Sequence, residues 1–128
     1  MEQEKLAEIA NIEQLARQLE ANLQMIETEI VELENFKITL KTIVDSKQTE
    51  MLSSLGKRVY IKTDIKDIDN LFVEVGAGVV VKKSPKDSLK IAEEQISKLN
   101  EARLQISHQL EAYQRELDSF IQQMNSGA

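Results

Sequence analysis

The chain of 128 residues contains no cysteine, no tryptophan, one proline and four glycines. The absence of cysteine excludes disulfides and thiolate metal sites, and it favours a cytoplasmic protein. Because Gly and Pro are the main turn-forming residues, their scarcity predicts long elements of secondary structure. Aromatic residues are also few, and the chain is instead rich in Leu, Ile, Glu, Gln and Lys, a composition typical of helices rather than of a compact α/β enzyme.

The charge and hydropathy of the chain exclude further classes of protein. A net charge of −6 disfavours nucleic acid as a partner, since phosphate binding needs a basic face. No apolar run reaches the roughly 18 residues of a membrane-spanning helix. The acidic start, MEQEKLAEIA, lacks the apolar core of a secretion signal. We therefore expect a single domain that binds neither membrane nor nucleic acid.

The first 48 residues carry the heptad pattern of a coiled coil, with apolar residues at positions a and d. All of the a and d residues except Lys37 are apolar: Ile9, Ala16, Leu23, Ile30, Lys37 and Val44 at a, and Ile12, Leu19, Ile26, Leu33 and Leu40 at d. An acidic row, Glu13, Glu20, Glu27 and Glu34, borders this apolar seam at position e.

Residues 84–125 repeat the pattern in a second predicted helix. Arg103 is the one polar exception among its a and d residues: Leu89, Ile96, Arg103, Leu110, Leu117 and Met124 at a, and Ala92, Leu99, Ile106, Tyr113 and Phe120 at d. Ser84 and Pro85 suit the cap and the first position of a helix. Since neither helix can bury its seam alone, the simplest fold is an antiparallel pair. In that pair Lys37 and Arg103 either form one polar layer that fixes the register or both extend outward to solvent.

The connector, residues 49–83, changes to the period of two that is typical of strands. VYIKTDI, LFVEV and VVVKK are predicted strands, and MLSSL is a weaker fourth. The motif VEVGAGVVVKK has only two glycines, and a strand-like run follows them, so it does not fit a dinucleotide- or phosphate-binding loop. Gly76-Ala77-Gly78 is predicted to be a hairpin turn, as is the segment beginning at Gly56. Four short strands in one small sheet would leave edges that favour association.

The segment VYIKTDIKDIDNLFVEVGAGVVVKKSPKDSLKIAEEQI resembles the central region of archaeal prefoldin alpha subunits. That family has the same order of long helix, two hairpins and long helix, whereas its beta subunits have a single hairpin. The similarity covers nearly the whole chain, and it departs from the family at Met51 to Leu55, where a more apolar strand with a proline is expected.

The resemblance implies an α+β, mostly α, fold: a long antiparallel two-helix coiled coil closed by two β-hairpins that join an oligomeric β-barrel. It also implies an ATP-independent chaperone in which two alpha and four beta subunits assemble. Such a complex binds non-native polypeptides at its coiled-coil ends and delivers them to a group II chaperonin. The alternative is a structural coiled-coil adaptor or scaffold that holds no client, and a site for catalysis between the helices is a weaker third hypothesis.

Two sets of residues follow as candidates. The client-binding tip residues, at the free ends of the helices, are Leu6, Ile9, Ile12, Leu15, Leu117, Phe120, Ile121 and Met124. The alternative for these residues is a coiled-coil core that frays. The predicted assembly residues of the strands are Val59, Ile61, Leu71, Val73, Val75, Val79 and Val81, with turns at Gly56, Gly76 and Gly78. His108, the only histidine, occupies the outward position f, and no catalytic residue, metal or cofactor is expected.

Overall fold

Two long helices and two β-hairpins make up the protein in a computed structural model that describes residues 2–46 and 49–126. This arrangement confirms the predicted mostly α fold of two helices and two hairpins. Residues 47 and 48, predicted as the end of the first helix, lie outside the described residues. The elements are α1 (Glu2–Ser46), β1 (Glu50–Gly56), β2 (Val59–Asp64), β3 (Leu71–Gly76), β4 (Val79–Lys83) and α2 (Pro85–Ser126).

The start of α2 has the predicted cap. The backbone N–H of Asp87 donates to Ser84 Oγ at 3.1 Å, and the N–H of Ser88 donates to the Ser84 carbonyl at 2.9 Å. Pro85, which has no N–H to leave unpaired, occupies the first helical position. Local sequence chemistry therefore fixes where the second helix begins.

The chain divides into two compact units: residues 1–31 with 96–128, and residues 32–95. In the first unit the a and d side chains of α1 are half-buried, and nearly all of the positions between them are exposed. The same holds for α2 as far as Phe120, and Ile96 is the best buried residue of this unit. Half-burial is the result expected of a two-helix seam, because two helices cannot enclose a side chain from all sides.

Lys37, the polar a residue of α1, lies in the second unit and is held by two carboxylates. Its Nζ is 3.7 Å from Glu93 Oε1 and 3.9 Å from Glu34 Oε2, and only 19% of its side chain is exposed. Glu93 thus provides a polar contact between α1 and α2 at this level. Arg103 is half-buried in the other unit, and its alignment with Lys37 stays a prediction.

The four strands form two separate two-stranded sheets, β1–β2 and β3–β4, so the prediction of one small sheet is wrong. The segment between β2 and β3 forms its own turn. Asp67 Oδ1 accepts the N–H of Asp69 at 3.0 Å, and Asp67 Oδ2 accepts the side chain of Asn70 at 2.9 Å. Both hydrogen bonds lower the pKa of the Asp67 carboxyl, and the bond from the Asn70 side chain has the larger effect. Because Asp67 pairs with polar groups inside this turn, the turn is stable without hydrogen bonds between β2 and β3.

Both hairpin turns place three consecutive residues at positive φ, beginning with Gly56 (97°) and Gly76 (128°), and the last two residues of each have the left-handed values that a type I′ turn requires. Ala77 and Gly78 have φ of 50° and 76°, and Lys57 and Arg58 have φ of 53° and 63°. A register shift precedes each turn, between Ser54 and Gly56 and between Glu74 and Gly76. The two turns therefore share one geometry. They differ in sequence, and the first has Arg58 at the position where the second has Gly78.

Replacing Arg58 by glycine should stabilise the first hairpin. A non-glycine residue in this region costs roughly 1–2 kcal/mol, partly offset by the greater freedom of glycine in the unfolded chain. We expect a net gain of roughly 0.5–1 kcal/mol, seen as slower hydrogen exchange of the amides in β1 and β2. The reverse change, Gly78→Arg, should weaken the second hairpin by a similar amount. Equal exchange rates in Arg58→Gly and the parent protein would show that the turn is not strained.

Candidate functional site

The eight tip residues all lie in the first unit, but they differ in exposure. Leu6, Leu15, Ile121 and Met124 are exposed. The other four are half-buried, and all of them are a or d residues: Ile9, Ile12, Leu117 and Phe120. Met124 also occupies an a position but is exposed. Only the exposed four are available to another molecule without opening the helix pair, so they are the better candidates for a binding surface.

Three further apolar side chains are exposed along the same unit. Met25, Val31 and Leu104 are each more than half exposed and lie outside the a and d positions. These three residues were not predicted from the sequence, although apolar residues at outward heptad positions were a visible signal. The apolar surface of this unit is therefore wider than the predicted tips.

The predicted assembly residues lie on the two hairpins, and most of them are exposed. Val59, Ile61, Val73, Val75 and Val79 are exposed, whereas Leu71 and Val81 are half-buried. Several equally exposed apolar residues of the same strands were not among those predicted from the sequence: Leu52, Leu55, Tyr60, Phe72 and Val80. A two-stranded hairpin is marginally stable by itself, and exposed apolar residues in this number make the hairpins a candidate interaction surface.

Polar contacts hold each hairpin together locally. In the first, the Ser53 and Thr63 hydroxyls are 2.8 Å apart across the strands, and the Thr63 hydroxyl also donates to the Met51 carbonyl at 3.2 Å. In the second, Lys82 Nζ lies 5.9 Å from the centroid of the Phe72 ring. The segment Met51 to Leu55 thus pairs with β2 through the backbone ladder, and the two hydroxyls add a cross-strand contact.

An apolar groove of about 340 Å³ lies within the second unit. Its walls include Leu33 and Phe36 of α1, Leu71 of β3 and Ile91 of α2. The Ser88 hydroxyl, buried in the same wall, has no hydrogen-bond partner among the described residues. The groove is not enclosed, so an apolar side chain from outside this chain could enter it.

The described residues offer little that is typical of a catalytic centre. They contain no group of three or more His, Cys, Asp or Glu residues placed to hold a metal ion. His108 is exposed on α2. Neither α1 nor α2, over its described length, is apolar enough to cross a bilayer.

Known proteins are similar to this chain in both sequence and fold. The family model described as Prefoldin subunit matches residues 12–127. Prefoldin subunit alpha of Thermofilum pendens is 28% identical over 123 residues, which are 92% of this chain and 95% of the relative. Prefoldin subunit alpha of Archaeoglobus fulgidus is 31% identical over 104 residues, which are 77% of this chain and 73% of the relative.

The fold is similar to that of a filamentous prefoldin (PFD) from Methanocaldococcus jannaschii, solved by cryo-electron microscopy. The TM-score is 0.76 at 19% identity, with 88% of this chain and 94% of the other covered. With its two long helices, its two hairpins and a family match over most of its length, the chain belongs to the prefoldin family of chaperone subunits and is of the archaeal alpha type.

Proposed function

We propose that this chain is a subunit of an ATP-independent chaperone that holds non-native proteins at the coiled-coil ends and delivers them to a group II chaperonin. The observation that carries the proposal is the exposure of Leu6, Leu15, Ile121 and Met124 in the first unit. Apolar side chains that the helix pair leaves exposed can contact the apolar segments of an unfolded chain. Met124 suits varied clients, because its flexible side chain adapts to different shapes.

Assembly is proposed to occur through the hairpins, in a complex of two alpha and four beta subunits in the cytoplasm. In this proposal, residues 49–83 join a β-barrel with the neighbouring subunits, while residues 1–48 and 84–125 form the coiled coil. The open strand edges and the exposed apolar residues of both hairpins support it. Since the structural relative from M. jannaschii is filamentous, polymerisation of this chain alone is the competing mode of assembly. The mass of the complex with and without a beta partner distinguishes the two.

A coiled-coil scaffold that holds no client is the second candidate. The exposed residues Met25, Val31 and Leu104 favour it, because a folded partner could dock on the side of the helix pair. The two functions differ in whether unfolded chains or folded proteins bind.

The test is suppression of aggregation by the complex of this chain with a beta-type subunit. A chemically denatured protein is diluted into buffer with and without the complex, and light scattering is followed. We expect the complex to slow aggregation to the same extent with and without ATP, and to leave the folded form of the same protein unbound. Aggregation at an unchanged rate, together with binding of a folded partner, would favour the scaffold.

A further inference from the structure

One side of the seam in the first unit combines apolar ends with unneutralised acidic groups. We call this surface the acidic flank and define it by the e positions that both helices have within the first unit. They are Leu6, Glu13, Glu20 and Glu27 of α1, and Asn100, Ser107, Gln114 and Ile121 of α2. Because the helices run antiparallel, the two e rows border the same side of the seam. Leu6 and Ile121, both exposed, are the outermost residues of the two rows.

The glutamates of the acidic flank lack strong ionic partners. Glu13 lies 3.9 Å from Arg17, whose side chain is largely exposed, and such a pair contributes little. Among the described residues, no cation lies within 4 Å of Glu20 or Glu27. The e row of α2 supplies none either, since its residues are uncharged. The flank therefore presents three carboxylates in a row beside apolar side chains, and only the first of them has a nearby cation in the described part of the chain.

The net charge of the chain is concentrated in this same unit. Residues 1–31 and 96–128 contain eleven Asp and Glu against five Lys and Arg, whereas residues 32–95 contain eleven of each. The whole net charge of −6 thus lies in the unit that contains the tip residues. At physiological salt the Debye length is about 8 Å, so these charges act on a segment that lies against the flank.

We propose that the acidic flank selects cationic clients, namely non-native segments in which an apolar residue is followed by lysines or arginines. The inference rests on the proposed chaperone function and names the class of client. The apolar residue contacts Leu6 and Ile121, and the cations lie along Glu13, Glu20 and Glu27. Glutamates seven residues apart on a helix are separated by about 10.5 Å, close to the roughly 9.3 Å that three residues span in the extended polyproline II conformation, in which every third side chain lies on the same side. An extended client with a cation at every third position therefore fits best.

The experiment measures binding of two fluorescent, unstructured peptides to the complex with a beta subunit. Both carry the same apolar residue, followed by lysine at every third position in one and by glutamate in the other. We expect the lysine peptide to bind about tenfold more tightly, as several exposed ion pairs would provide, and the preference to shrink at high salt. The variant with Glu13→Gln, Glu20→Gln and Glu27→Gln should lose most of this preference.

A matched control removes three carboxylates from outward positions of the same unit: Glu4→Gln, Glu101→Gln and Glu111→Gln. It changes the net charge equally and should keep the preference. An equal loss in the control would overturn the assignment to the flank, because net charge alone would then be the cause. Equal binding of both peptides to the parent complex would overturn the inference and leave the chaperone function standing, whereas binding of neither would contradict both.

Discussion

A subunit with Val79→Glu should fold normally and fail to assemble. Val79 is 54% exposed on β4 of the free chain, so a carboxylate there meets water and costs little. In an assembly that covers the hairpins, the same carboxylate would be buried without a partner, at a cost of several kcal/mol. Because each 1.4 kcal/mol is about a factor of ten, the association constant should fall at least about a hundredfold. Light scattering should show monomers or dimers, and circular dichroism should show unchanged helicity.

Val31→Glu is the matched control for this prediction. Val31 is 57% exposed on α1, nearly the same as Val79, and the substitution adds the same charge outside the hairpins. We expect this variant to assemble like the parent protein. A Val79→Glu chain that still forms the full complex would show that β4 lies outside the assembly interface, and loss of assembly in both variants would point to charge rather than position.

Replacing the four exposed tip residues by serine should abolish most client holding and preserve the complex. The variant carries Leu6→Ser, Leu15→Ser, Ile121→Ser and Met124→Ser. Burying an apolar side chain fully contributes about 1.5–3 kcal/mol, so partial burial of four of them accounts for roughly 3 kcal/mol of client affinity. We expect about a hundredfold weaker binding of a denatured protein and a smaller loss of stability, because Leu6 and Ile121 are half exposed and Leu15 and Met124 more than a third.

The control for the tips removes apolar surface of similar exposure from elsewhere in the same unit. The substitutions Met25→Ser, Val31→Ser and Leu104→Ser should leave client holding nearly unchanged if the tips alone bind. If this control loses as much activity as the tip variant, the whole side of the helix pair binds clients. If the tip variant instead melts the complex and its intact fraction still suppresses aggregation, the tip residues stabilise the coiled coil.

The sequence by itself determined the elements and their order. Heptads fix which face of each helix is apolar, because the period of seven is a property of neighbouring residues on one helix. Ser84 and Pro85 fix the start of α2 for the same reason, since a cap needs only residues within one turn. The period of two between Val59 and Lys83 likewise identifies strands without any knowledge of their partners.

Only the tertiary structure decided which apolar residues remain exposed and which strands pair. Phe120 and Met124 both occupy seam positions of the heptads, yet the first is half-buried and the second is exposed. The pairing of Lys37 with Glu93, far apart in sequence, and the separation of the strands into two sheets were also decided there. The physical reason is that burial and pairing depend on distances between segments that are remote in sequence, whereas periodicity and capping depend only on neighbours.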